Sequence, residues 1–119
     1  MGRITILCID DDALVLSAMK DFLELKGYAV ITAASGESAL DIMSQRFDAA
    51  VLDYDLPDVN AEKVARCLKA VRPQLPIVLF SGYPDIPEST LREVTAFVPK
   101  GNGFSHLLTT LAGLIREAS

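Results

Sequence analysis

The strongest constraint on this chain is a change of hydrophobic period that repeats from end to end. Short continuous apolar runs alternate with stretches whose apolar residues recur at helical spacing. The runs fall at residues 4–9, 28–33, 49–52, 77–80 and 96–98, and Val, Ile, Leu and Ala dominate them. A strand with one wet face alternates apolar and polar residues, whereas a continuous run is a strand covered on both faces, the mark of a parallel sheet. Parallel neighbours need long crossovers, and the intervening stretches supply them. A stripe of Val15, Met19, Phe22 and Leu23 predicts a helix over 13–26, stopped by Gly27 at its C′ position. Ala39, Leu40 and Met43 predict a short one over 36–45, and Val64, Leu68 and Val71 one over 60–71, closed by Pro73. The clearest stripe belongs to the last helix, through Leu107, Leu108, Leu111, Leu114 and Ile115. Residues 85–94 are the weakest, with prolines at or beside the start and only Ile86, Leu91 and Val94 as anchors, so a short or mobile element is expected there.

Strict alternation of five strands with five helices predicts a doubly wound α/β fold, (βα)5, with an open parallel sheet and helices on both faces. The 119 residues suit one domain spanning 1–119, without linker, repeat or low-complexity segment. Folding a chain of this size buries roughly two-thirds of its unfolded surface, enough for a core without staples. Cys8 and Cys67 are too few for a disulfide framework, and Cys8 sits in an apolar run as a core residue. With a single histidine, His106, which reads as structural or solvated, there is no Cys/His metal site. The apolar run at 6–9 is too short for a signal-peptide core or a membrane span, so a cytoplasmic setting away from membranes is expected.

Sixteen acidic residues against eleven basic ones give a net charge of −5. Five of the acids sit in Asp10-Asp11-Asp12 and at Asp53 and Asp55, and the remaining eleven balance the bases. The acidity is therefore local, as at a cation site, and direct nucleic-acid binding through a basic patch is disfavoured. Ligands of open parallel sheets bind beyond the carboxyl ends of the strands. At those ends stand the Asp10-Asp11-Asp12 cluster, Asp53, Ser81 and, past the fifth run, Lys100. Carboxylates held together repel one another and need a cation to stay ionised. An all-oxygen donor set suits Mg²⁺. Carboxylate, cation, ammonium and hydroxyl together suit a phosphoryl group, whose oxygens the positive charges neutralise while a carboxylate oxygen attacks in line. Asp12 reads as the N-cap of the first helix rather than as a ligand.

Taken with their neighbours, these residues make the whole chain resemble the receiver domains of bacterial two-component response regulators. The stretches that carry the likeness are Ile6-Leu7-Cys8-Ile9-Asp10-Asp11-Asp12, Val51-Leu52-Asp53-Tyr54-Asp55-Leu56-Pro57-Asp58, Ile77-Val78-Leu79-Phe80-Ser81-Gly82 and Phe97-Val98-Pro99-Lys100. The resemblance implies a flavodoxin-like sheet of strand order 2-1-3-4-5. It implies Asp53 as phosphoacceptor and metal ligand, Asp10 and Asp11 as the acidic pair with Asp11 the direct ligand, and Asp55 as a Mg²⁺ ligand through its backbone carbonyl. Ser81 resembles the switch hydroxyl, Lys100 the lysine that contacts the phosphoryl group, and Phe97 the switch aromatic. The function implied is a signalling switch rather than an enzyme. It would take a phosphoryl group from a sensor histidine kinase or a histidine phosphotransfer protein, with Mg²⁺, and change the face made by the fourth helix, fifth strand and fifth helix. That face would meet an output partner or a second copy of the chain as a homodimer.

Two positions depart from the family pattern. Ala61 stands where the family often has glycine, and Gly101 follows Lys100 in place of the usual cis-proline. The latter predicts a looser Gly101-Asn102-Gly103 turn, since glycine adds freedom that proline removes. Tyr83, two residues past Ser81, is expected to overhang the site and slow attack by water. Two other functions compete with the switch. A degenerate receiver serving only as an interaction module is argued against by the intact Asp, Ser and Lys set. A phosphatase of the haloacid dehalogenase type begins its signature Asp-x-Asp, which Asp53-Tyr54-Asp55 matches, but Leu56-Pro57 replaces the Gly-Thr that follows.

Overall fold

A computed structural model describes residues 2–118. Its strands are β1 (Thr5–Ile9), β2 (Ala29–Ala33), β3 (Ala49–Leu52), β4 (Ile77–Ser81) and β5 (Ala96–Pro99). Between and after them run the helices α1 (Ala13–Leu25), α2 (Gly36–Asp41), α3 (Ala61–Val71), α4 (Glu88–Leu91) and α5 (Gly103–Ala118). All pairings are parallel, and the sheet order is β2-β1-β3-β4-β5. The expected flavodoxin-like topology is thus the one observed.

Continuous apolar runs were needed because successive strand residues face opposite ways. Leu7, Ile9, Ala50, Leu52, Ile77 and Leu79 pack with Val64, Ala65 and Leu68 of α3 and Ala39 of α2. Their neighbours Ile6, Cys8, Ala49, Val51, Val78 and Phe80 pack on the other face with Leu16, Met19 and Leu23 of α1 and Leu107 and Leu111 of α5. Burial pushes the Cys8 thiol up to about 12, the nearby Asp10 charge adding to it, so this cysteine is an inert core residue. Neither cysteine is disulfide-bonded. No helix among the described residues is long and apolar enough to cross a membrane.

The helices differ from expectation at their edges. The buried stripe of α1 is Leu16, Met19 and Leu23, while Val15 and Phe22 are half-exposed. Helix α2 ends at Asp41 rather than 45, because Ile42, Met43 and Gln45 donate to carbonyls three residues back and tighten the chain into turns. Helix α4 is a single turn entered from Pro87 without a side-chain cap, and it buries Thr90 instead of Leu91, which is exposed. Past β5, residues Lys100–Asn102 form one regular 3-10 turn, so the expected loose turn is not seen. Positive φ is used at Gly103 (83°), not at Gly101.

Candidate functional site

Register builds the site. Ile9 pairs with Leu52 across β1 and β3, so the next residues, Asp10 and Asp53, leave the sheet side by side. The Asp53 amide donates to the Ile9 carbonyl at 2.9 Å, and the Asp10 amide to the Ala33 carbonyl at 3.1 Å, which fixes both strand ends. Ser81 pairs with Pro99 at the ends of β4 and β5, and Lys100 follows directly. All four side chains are thus delivered to one edge by backbone hydrogen bonding alone.

The distances show how they meet. Asp10, Asp11 and Asp53 each offer a carboxylate oxygen, and these oxygens lie within 4.8 Å of one another. Lys100 Nζ stands 2.9 Å from Asp10 Oδ2 and 3.5 Å from Asp53 Oδ1. Asp10 and Asp53 are buried, whereas Asp11 is exposed. The other oxygen of Asp10, Oδ1, accepts from the Asp12 amide at 2.9 Å. Asp12 is the N-cap of α1, accepting from the amides of Leu14 and Val15 at 3.0 and 3.3 Å, as expected of it. An open cavity of about 430 Å³ is lined by Asp11, Asp53, Asp55, Ser81, Gly82, Tyr83, Pro84 and Lys100.

Electrostatics follow from this packing. Burial pushes the Asp53 carboxyl up to about 6, and the Asp10 charge pushes the same way. Lys100 and the Asp55 amide, which bonds the carboxylate, pull it down without prevailing. For Lys100, burial works to lower its pKa, but the bond to Asp10 and the charges of Asp53 and Asp10 hold it above its ordinary value. One ammonium therefore serves two buried carboxylates, with a third carboxylate close by. The shortfall in positive charge, together with donors that are all oxygen, fits a hard divalent cation held by Asp10, Asp11 and Asp53. The main chain of Asp55 stands beside Asp53 through the same amide, next to that position.

Ser81 is buried, and its Oγ accepts from the Tyr83 amide at 3.1 Å. Tyr83 lines the cavity, and its half-exposed ring meets the Tyr54 ring edge-on, with centroids 5.4 Å apart. Phe97 is half-buried opposite Leu79, against the core on the α2 and α3 side. His106 is exposed, its Nδ1 paired with Asn102 Nδ2 at 2.9 Å. The sequence reading missed Asp58, which bonds the amides of Gly36 and Glu37. Its only advance sign was an unassigned acid in the loop after β3, and its partners are 22 and 21 residues away.

Residues 6–112 match the family model described as the response regulator receiver domain. The chain belongs to that family. Among curated relatives, response regulator MprA of Mycolicibacterium vanbaalenii is 30% identical over 98% of this chain and 52% of its own length. The receiver thus spans about half the length of the MprA proteins it matches. Among solved structures, a CheY-like receiver domain protein from Methanospirillum hungatei JF-1 superimposes with a TM-score of 0.91 at 26% identity, covering 98% of this chain and 97% of that one. Response regulator TrrA of Thermotoga maritima, crystallised with Mg²⁺ and BeF, gives a TM-score of 0.87 at 26% identity, covering 93% and 98%. Receivers are signalling domains of two-component systems, and this membership displaces the haloacid dehalogenase reading of Asp53-Tyr54-Asp55.

Proposed function

We propose that residues 1–119 form one cytoplasmic receiver domain that accepts a phosphoryl group on Asp53 from a phosphohistidine of a sensor histidine kinase or histidine phosphotransfer protein. The observation that carries this reading is that Asp11, Asp53 and Lys100 line one cavity, while the Asp10 carboxylate clusters with those of Asp11 and Asp53 and pairs with Lys100. Asp53 is the member of the set that ends a central strand, is buried, and still lines the cavity, so it is the nucleophile. An Asp53 oxygen forms a bond to phosphorus as the phosphorus–nitrogen bond of the donor breaks, and the departing imidazole takes up a proton. Mg²⁺, held by Asp10, Asp11 and Asp53 with the Asp55 backbone carbonyl, would supply Lewis-acid neutralisation of phosphoryl oxygens.

The chain's own residues do the rest. Lys100 already faces Asp53, and its ammonium would meet an oxygen of the incoming group. Ser81 would release the Tyr83 amide and turn its hydroxyl to another oxygen. That movement opens space beside β5, into which the half-buried Phe97 would turn, altering the face of α4, β5 and α5. The meagre anchoring of α4 suits a segment that rearranges. That the TrrA structure was obtained with Mg²⁺ and BeF supports the same chemistry here. An output partner, or a second copy of the chain, would read the changed face.

The test is to incubate the chain with acetyl phosphate and Mg²⁺ and weigh the intact protein. The expected result is a gain of one phosphoryl group, absent in Asp53→Asn and absent with EDTA. A gain that persists in Asp53→Asn would overturn the assignment.

A further inference from the structure

The loop from Asp53 to Asn60 carries the Asp55 main chain past the carboxylate cluster, and its two ends are fixed. Asp53 is tied to β1 through its amide, and Asn60 caps α3 by accepting from the Glu62 amide at 2.8 Å. Between them the Leu56 amide bonds the Tyr54 carbonyl at 3.2 Å, a local contact that does not anchor the loop to anything else. Asp58 does anchor it. One carboxylate oxygen accepts from the Gly36 amide at 3.0 Å, and the other from the Glu37 amide at 2.9 Å. The first amides of a helix have no partner within the helix, and a charged acceptor bonds them more strongly than a neutral one. The Glu37 amide in particular holds the Asp58 carboxyl below its ordinary range, so it stays ionised at neutral pH.

A second observation shows that the two segments are fitted to each other. A β-carbon placed on Gly36 would stand 2.6 Å from Val59 Cβ and 3.3 Å from Asp58 Oδ1. No larger residue allows the start of α2 to approach the loop this closely. Leu56 and Val59 meanwhile pack on the same core as Ile42 and Met43, just beyond α2. The first turn of α2 and the loop are therefore held by two charge-assisted bonds and a close approach of Gly36 to the Val59 side chain. Asp55 lies between the fixed points at Asp53 and Asp58.

We propose that Asp58 is a positioning residue, whose clasp on the first turn of α2 fixes the Asp55 main chain against the carboxylate cluster and so sets the affinity for Mg²⁺. This rests on the cation site of the proposed function. Asp58 touches neither cation nor phosphoryl group in this role; it acts by removing freedom from the loop. Groups behind a metal's own ligands commonly change affinity by about tenfold or more when lost.

Calorimetric titration of the full chain with MgCl₂ tests it, without any need for phosphorylation. Asp58→Ala is expected to weaken Mg²⁺ binding about tenfold. Asp58→Asn loses the same charge but keeps an acceptor for one amide, so it is expected to bind more tightly than the alanine variant. That difference separates the clasp from a simple loss of negative charge. Ser35→Ala is the control for α2 itself, since the Ser35 hydroxyl caps that helix from within by accepting from the Ser38 amide at 3.0 Å. It should lower the melting temperature and leave Mg²⁺ affinity unchanged. Should Asp58→Ala fail to fold, the asparagine variant against wild type carries the test, with a smaller loss expected. Unchanged affinity in the Asp58 variants, equal affinity of alanine and asparagine, or an equal loss in Ser35→Ala would overturn the positioning role and leave the cation site standing. A wild-type chain that binds no Mg²⁺ overturns both.

Discussion

Lys100 and Asp10 form an ion pair of 2.9 Å in which the acid is 1% exposed and the lysine 26%. Asp53 shares the same ammonium at 3.5 Å, so one side chain balances two buried carboxylates. Removing a single partner from such a group leaves charge buried and unpaired, which costs more than an exposed ion pair ever contributes. Lys100→Met keeps most of the stem and deletes the charge. It is expected to destabilise the chain by about 3 kcal/mol at pH 7 without Mg²⁺, measured by urea denaturation. Added Mg²⁺ should restore part of the loss by supplying the missing positive charge, and phosphoryl uptake from acetyl phosphate should fall sharply. Equal stability of the two proteins in EDTA would show that water, not Lys100, balances the carboxylates.

Asp53 gives the site a pH dependence whose direction is fixed by its surroundings. Its carboxyl rises from 3.8 to about 6 on folding, burial being the main cause and Asp10 the next. Between those values the folded chain keeps a proton that the unfolded chain has lost, so stability falls as pH rises through this window. Above about pH 6 the full burden of the ionised group is present. Asp53→Asn removes it and is expected to stabilise the chain by about 3 kcal/mol at pH 7 in EDTA. The advantage should shrink through the window and vanish near pH 4. Denaturation curves of both proteins across this range check it, and a gain that is constant with pH would mean that ionisation of Asp53 is not its source.

Sheet and site were legible for the same physical reason. Strands buried on both faces must be apolar throughout, so the polar residues that end them stand out, as Asp10, Asp53 and Ser81 do. Helix phase was less legible. Ala13-Leu14-Val15-Leu16 is apolar at every position and does not say which face is turned inward, and the structure chooses Leu16 while leaving Leu14 84% exposed. In α4 the surroundings override residue type, burying Thr90 and exposing Leu91. The Asp58 clasp was invisible because its partners are backbone amides distant in sequence, which carry no residue signature. At Lys100 the absence of proline pointed to a loose turn, yet Gly103 takes up the positive φ and the turn ahead of it stays regular.

Gly36 is a position where a single methyl group should be felt. The β-carbon of Gly36→Ala would lie 2.6 Å from Val59 Cβ, which belongs to a β-branched side chain close to its own backbone and cannot simply swing aside. The expected cost is about 1–3 kcal/mol, typical of overpacking. Thermal melting in EDTA measures it. Gly101→Ala is the matched control, because nothing lies within 4 Å of a β-carbon there, and it should melt close to wild type.

Tyr83 bears on how long the phosphoryl group persists. It lines the same cavity as Asp53 and its ring stands edge-on to Tyr54, while its amide bonds the Ser81 hydroxyl that the phosphoryl group would claim. An acyl phosphate is lost when water approaches phosphorus in line, and Tyr83 lines the same cavity as Asp53, so its ring would restrict that approach. Tyr83→Ala opens the approach and leaves Asp10, Asp11, Asp53 and Lys100 in place, so uptake from acetyl phosphate should proceed as before. Loss of the phosphoryl group, followed by intact mass after the donor is removed, is expected to accelerate several-fold. Tyr83→Phe keeps the ring and should match wild type, because the shielding is steric and needs no hydroxyl. An unchanged rate in the alanine variant would remove Tyr83 from any part in the lifetime of the phosphorylated state.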